Sequence, residues 1–291
     1  MKNLLKRLMV FAISLPALII ILICLPQYNH LAFSMVVIIF SVLGAAEFSN
    51  ILRLKNLPVS TLEAVLLGGI SPVFTVLVVN FRGFGISHEF LALAFCLGAS
   101  WVLVSRVFSS NEKLGSFVNR SAAGLAVLVY PGFFMSWIIA LSVFPGAGFI
   151  ILIFLLITLL NDAFAWLTGM LFGKNNRGII AASPNKSIAG FIGGLLSSVA
   201  LGILAAHFSP GDAFPSERLP WFVAGGLLGL GGGIAAVLGD LAESCLKRSA
   251  GIKDSGNAIP GRGGILDCID SLALAAPLYY LIFRLLFTQG A

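Results

Sequence analysis

The sequence predicts an all-α, polytopic integral membrane protein, and three observations carry that expectation. Of its 291 residues, 58% are hydrophobic and only 10% charged, with a mean hydropathy of +1.02; soluble domains carry about a quarter charged residues. The apolar residues gather into runs of about 20, the length a helix needs to cross hydrocarbon. The 18 Lys and Arg residues, which give a net charge of +6, stand singly or in short groups between those runs. That spacing orients a membrane protein, and it lacks the aromatic-basic interleaving expected of a nucleic-acid binder.

Nine runs are expected to form helices: about residues 8–26, 31–48, 62–80, 90–108, 121–142, 148–172, 188–206, 220–246 and 270–288. The first follows Lys2, Lys6 and Arg7 as a signal peptide would, but it is too long and lacks a small-x-small cleavage site before Pro26, so it reads as a membrane helix kinked at Pro16. The sixth contains Asp162, and the eighth contains Asp240 and Glu243; these two are expected to protrude or to line a watery cavity. Residues 1–120 form an N-terminal group of about four helices and residues 121–291 a C-terminal group of about five. No separate soluble domain and no internal repeat are expected. The glycines from Gly225 to Gly233, with Gly190, Gly193 and Gly194, lie in apolar spans and read as close helix packing. Cys24, Cys96, Cys245 and Cys268 are too scattered for a disulfide framework or a metal knuckle.

With the N-terminus inside, Lys2, Lys6, Arg7, Arg53, Lys55, Arg106, Lys113, Arg120, Lys174, Arg177, Lys186, Lys247, Arg248, Lys253 and Arg262 fall on the cytoplasmic side. Only Arg82, Arg218 and Arg284 fall on the other, a bias that fits nine crossings. His30, His88 and His207 all fall on the non-cytoplasmic side, which argues against a hydrolase triad near the polar residues.

Those polar residues concentrate between Gly239 and Ser271. Asp240, Glu243, Ser244 and Lys247 follow the i, i+3, i+4, i+7 spacing of one helical face. Two carboxylates and an ammonium there suggest a bound cation. A glycine-rich loop follows, with Lys253, Asp254, Gly256, Arg262, Gly263 and Gly264, and then Asp267 and Asp270 head the last helix. Glycines let backbone N–H groups wrap phosphates; the two aspartates suit either caps or hard oxygen ligands. Upstream, Ser183-Pro184-Asn185-Lys186-Ser187 places Lys186 beside the first turn of the next helix, an anion site. Asp162 lies too deep in its span to snorkel, so it is a functional candidate or a helix-to-helix hydrogen bond. Together these residues suit phosphoryl or nucleotidyl transfer.

The pattern Ser244-Cys-Leu-Lys247-Arg248, Lys253-Asp254-x-Gly256, Ile259-Pro260, Gly263-Gly264 and Asp267-x-x-Asp270 resembles the signature of the CDP-diacylglycerol synthase (phosphatidate cytidylyltransferase) family. Asp162, the Gly169 to Lys174 run and Ser183-Pro184-x-Lys186-Ser187 resemble a second block, and Glu47-Phe48 a third, weaker one. The resemblance implies a membrane enzyme of phospholipid biosynthesis that joins CTP to phosphatidic acid, giving CDP-diacylglycerol and pyrophosphate. It implies Mg²⁺ as cofactor, with a second cation left open; Asp240, Asp267 and Asp162 as metal ligands; and Lys247, Arg248, Lys253, Asp254, Arg262 and Asp270 as catalytic. Ser183, Lys186, Ser244, Gly256, Gly263 and Gly264 would contact substrate. Membrane lipids are the expected surroundings and a homodimer is compatible; nucleic acid is not an expected partner. The location implied is a bacterial inner membrane.

Three positions depart from the family pattern. Arg262 stands where the pattern has His, Cys268 where it has Arg, and Ala189 where it usually has Glu. Arg262 retains a phosphate-binding charge; Ala189 cannot bind a metal. The departures leave open a paralogue acting on another lipid phosphate, or an inactive lipid-binding scaffold. The intramembrane carboxylates motivate a different alternative, a cation-coupled transporter.

Overall fold

The computed structural model describes residues 2–81, 89–105, 107, 115–210, 213–216 and 219–288. Among them the chain is helical, with two isolated β-bridges and no strand. Arg82, Arg106, Lys113 and Arg218, used above to orient the chain, and His88, placed by that orientation, lie outside the described residues.

Among the described residues each expected run overlaps a helix. In chain order these are α1 (Lys2–Cys24), α2 (Gln27–Leu54), α3 (Thr61–Asn80), α4 (Glu89–Val104), α5 (Phe117–Val143), α6 (Ala147–Phe172), α7 (Ile188–His207), α8 (Trp221–Ser249) and α9 (Leu266–Phe287). Among the described residues, α2, α3 and α5 to α9 are long and apolar enough to cross a membrane. The protein is an integral membrane protein. The last helix begins at Leu266 rather than near 270, because Asp267 belongs to its first turn, where the exposed N–H groups favour a carboxylate. A hydropathy reading stops at such a residue; the backbone does not.

The chain forms two compact units, Met1–Ala140 with Ser249–Ile269, and Leu141–Arg248 with Asp270–Ala291. In the first, α2 packs on α3. Ser41 Oγ donates to Gly68 O over 2.7 Å and lies against Pro131 O, and Phe48 meets Tyr130 edge-on with centroids 5.6 Å apart. Two irregularities shape this unit. Tyr28, Asn29 and His30 follow Pro26 with φ of 52°, 52° and 59°, a left-handed start that costs L-residues roughly 1–2 kcal/mol each; Asn29 Nδ2 secures it by donating to Val79 O over 3.2 Å. In α5 the backbone widens into a π-turn over Leu128–Phe133. Pro131 sits inside it, where it has no N–H for the regular ladder and its ring would crowd the preceding turn.

In the second unit α6 and α7 lie side by side, joined by a bond of 2.9 Å from Asn161 Nδ2 to Ser198 Oγ. Glycine sets the approach of α7 to α8. A Cβ on Gly202 would collide with Gly225 O, and one on Gly229 with Ser198 O, so the run from Gly225 is a packing surface, as its place in an apolar span implies. An aromatic cluster of Phe144, Phe214, Tyr280 and Phe283 fills the other end, and Tyr279 OH donates to Ile150 O over 3.4 Å.

Candidate functional site

The polar residues form one constellation in each unit. In the second, α6, α8, α9 and the 180–187 loop contribute. Four carboxylates (Asp162, Asp240, Glu243, Asp270) and two ammonium groups (Lys186, Lys247) make up this constellation. Lys186 Nζ pairs with Asp240 Oδ2, and Lys247 Nζ pairs with Glu243 Oε2 one turn back on α8. Placing the acid N-terminal to the base is the better order for an i, i+4 pair on a helix. Glu243 is fully buried, where an unpaired charge would be expensive; its pairing explains how it is tolerated. Lys186 also lies 5.8 Å above the Phe191 ring, so its ammonium is held by charge and by a π face.

Asp162 and Asp270 meet through one side chain. Ser271 Oγ lies 3.4 Å from Asp162 Oδ2 and 3.2 Å from Asp270 Oδ1, and Ser271 N donates to Asp270 Oδ1 over 2.6 Å. Asp240, Asp162 and Lys247 all lie within electrostatic reach of Asp270. The 180–187 loop is tied to α8 a second time, by Arg248 Nε donating to Ala182 O over 3.3 Å. Within the loop Lys186 N donates to Ser183 O (3.1 Å), and Ser187 caps α7 by accepting from Gly190 N (3.1 Å). Ser244 is half-buried and Arg248 exposed on α8.

In the first unit the glycine loop is closed by a tight turn. Ile259 and Gly263 exchange backbone bonds of 2.8 and 3.1 Å, and Gly261 and Gly263 take φ of 78° and 113°, which side chains rarely adopt. Asp267 Oδ2 organises the loop from the α9 side: it accepts from Ser255 N (2.9 Å), Ser255 Oγ (2.8 Å) and Gly264 N (2.7 Å). Lys253 and Asp254 are exposed, and Arg262 and Cys268 half-buried. Gly256 and Gly264 both lie against the carboxylate of Glu47.

The structure thus brings Asp162, Lys186, Asp240, Lys247 and Asp270 together in one unit, and Asp254, Gly256, Gly263, Gly264 and Asp267 in the other. Sequence reasoning assigns no role to Ser255, a member of the polar loop, or to Ser271. Each stands next to or near a flagged aspartate, and a hydroxyl beside a carboxylate in an apolar chain was the signal available. Among the described residues no three His, Cys, Asp or Glu side chains form a metal-holding group by themselves.

Fold and side chains define a polytopic membrane protein that pairs acids with lysines where α6, α8 and α9 meet. The profile of the Cytidylyltransferase family matches residues 5–286, and the chain belongs to that family. It is similar to proteins named phosphatidate cytidylyltransferase: 33% identical over 199 residues to that of Thermotoga maritima, covering 67% of this chain and 69% of the relative. To the Haemophilus influenzae protein it is 38% identical over 136 residues, 46% of each chain. To the Synechocystis protein it is 42% identical over 126 residues, 43% of this chain and 40% of the relative. The matched stretches therefore span less than half the length of the latter two.

Proposed function

We propose that the protein transfers CMP from CTP to phosphatidic acid, releasing pyrophosphate, in phospholipid biosynthesis. The observation that carries the reading is the constellation of three aspartates beside two lysines in a chain matched to the family along residues 5–286. A phosphate oxygen of phosphatidic acid, largely ionised at neutral pH, attacks the α-phosphorus of CTP. The bond from that phosphorus to the oxygen bridging to the β-phosphorus breaks, and its electron pair leaves with pyrophosphate. The nucleophile needs no protein base, so positioning and charge neutralisation are what remain for the side chains.

Lys186 and Lys247, each oriented by a carboxylate, and the exposed Arg248 serve as cationic contacts for phosphate oxygens. Lys253 and Arg262, on their glycine loop, are further phosphate contacts, with Ser183, Ser244 and the loop glycines as polar and backbone donors. The donor set fits Mg²⁺, which commonly takes one or two carboxylates and completes its shell with waters and substrate phosphates. Asp162 and Asp270, converging on Ser271, would hold it, with Asp240 nearby; when bound it neutralises charge on the phosphates. Asp267 remains a candidate ligand whose Oδ2 is engaged by the loop. The excess of Lys and Arg on one side and the bacterial relatives support an inner-membrane location with the N-terminus and the chemistry on the cytoplasmic side.

The test is direct. Protein in detergent, given radiolabelled CTP, phosphatidic acid and Mg²⁺, should form lipid-linked CMP, and an Asp270→Asn variant should not. Absence of product from the unaltered protein overturns the reading and leaves a transporter or a lipid-binding scaffold; light scattering on the same preparation tells monomer from homodimer.

A further inference from the structure

The polar residues of the loop and of the α9 start are held by a side chain far from them in sequence. We propose that Glu47 is the positioning residue that fixes the glycine loop and the first turn of α9; its catalytic consequence rests on the transfer reading above. Glu47 Oε2 accepts from Leu266 N, the first residue of α9, over 2.9 Å, and from Ser255 Oγ over 3.0 Å. Those partners lie 219 and 208 residues away along the chain. Two glycines close on the same carboxylate. A Cβ on Gly256 would stand 2.6 Å from Glu47 Oε1, and one on Gly264 would collide with Oε2. Gly44, one turn earlier on α2, lies under the Ile269 and Leu266 side chains, so α2 holds that first turn by apolar contact as well.

The linkage continues to Asp267. The Ser255 hydroxyl that faces Glu47 also lies 2.8 Å from Asp267 Oδ2, and a hydroxyl has a single proton to donate. It serves one carboxylate at a time, and backbone N–H groups anchor each: Leu266 N on Glu47, Ser255 N and Gly264 N on Asp267. Glu47 thereby sets where Asp267, Gly263 and Gly264 stand, without needing to touch substrate.

Three variants test this by hydrogen exchange, and the two at Glu47 also by turnover. In full-length protein in detergent, Glu47→Ala should speed hydrogen exchange in the segment 253–266 by about tenfold, as expected for the loss of bonds to a charged acceptor. Segments of α3 should be unchanged. Glu47→Gln, which keeps an accepting oxygen, should restore most of the protection. Gly264→Ala should reproduce the alanine effect with the charge intact. In turnover, Glu47→Ala should lower kcat by about 100-fold with KM for CTP within about threefold, the mark of misplaced groups, and Glu47→Gln should recover about tenfold of it. Unchanged exchange in Glu47→Ala, a glutamine variant as damaged as alanine, or lost protection extending through α3 in all three variants would overturn the assignment. If the unaltered protein makes no product, the transfer reading falls while the exchange arm still decides the role of Glu47.

Discussion

Lys186 and Asp240 are both half-buried, which makes their pairing consequential: a surface ion pair contributes little, whereas a charge stripped of its partner inside a membrane protein is costly. Lys186→Ala is expected to lower kcat/KM by about 10–150-fold, the range for a lost charged hydrogen bond. Lys186→Arg should recover only part, since a planar guanidinium does not replace an ammonium point charge. Steady-state kinetics with CTP as the varied substrate checks both. Ser271→Ala removes the hydroxyl between Asp162 and Asp270 and should cost about tenfold in turnover, while Ser271→Thr, which keeps the oxygen, should cost less. The aspartates were legible in the sequence because a carboxylate in a greasy chain has few bland explanations. The serines were not, since a hydroxyl in a membrane helix usually bonds its own backbone, as Thr158 does with Leu155 O.

At the level of elements, the helices among the described residues follow from run length, yet their ends and breaks do not. The π-turn of α5 has its cause in Pro131, but a proline announces an interruption without saying which kind. The left-handed residues after Pro26 are equally silent in sequence, because their anchor, Val79 O, is on another helix. The glycine interface of α7 and α8 was readable as packing and is the element most sensitive to bulk. Gly229→Ala forces a methyl against Ser198 O and should destabilise the second unit by about 1–3 kcal/mol, seen as a lower midpoint when the detergent-solubilised protein is heated and its monodispersity followed. Gly226→Ala, whose Cβ would meet only side-chain carbons of Ile203 and Val199 at 3.6–3.9 Å, should be tolerated.

For the whole molecule, the basic-residue bias makes a prediction about sidedness. Helix α8 has 29 residues, a length of about 43 Å, enough to carry its two ends to opposite faces of a bilayer. In a variant lacking the four native cysteines, Asn257→Cys should be shielded from a membrane-impermeant maleimide in intact cells and labelled after permeabilisation. Pro210→Cys should be labelled in both; the reverse pattern would invert the proposed orientation.

The first unit takes most of its chain from the residues up to Ala140, but it also needs Ser249–Ile269, and Glu47 waits for Leu266, 219 residues downstream. During synthesis its helices enter the bilayer long before the segment that completes their polar end has left the ribosome. A domain whose closing piece comes last pays a loop-closure delay and spends that interval with Glu47 facing whatever the insertion machinery offers. Folding of this unit is therefore tied to the synthesis of residues 249–269, so nascent chains arrested before residue 249 should show a protease-sensitive segment 53–60, at the end of α2, that becomes resistant only once residue 266 has emerged from the ribosome.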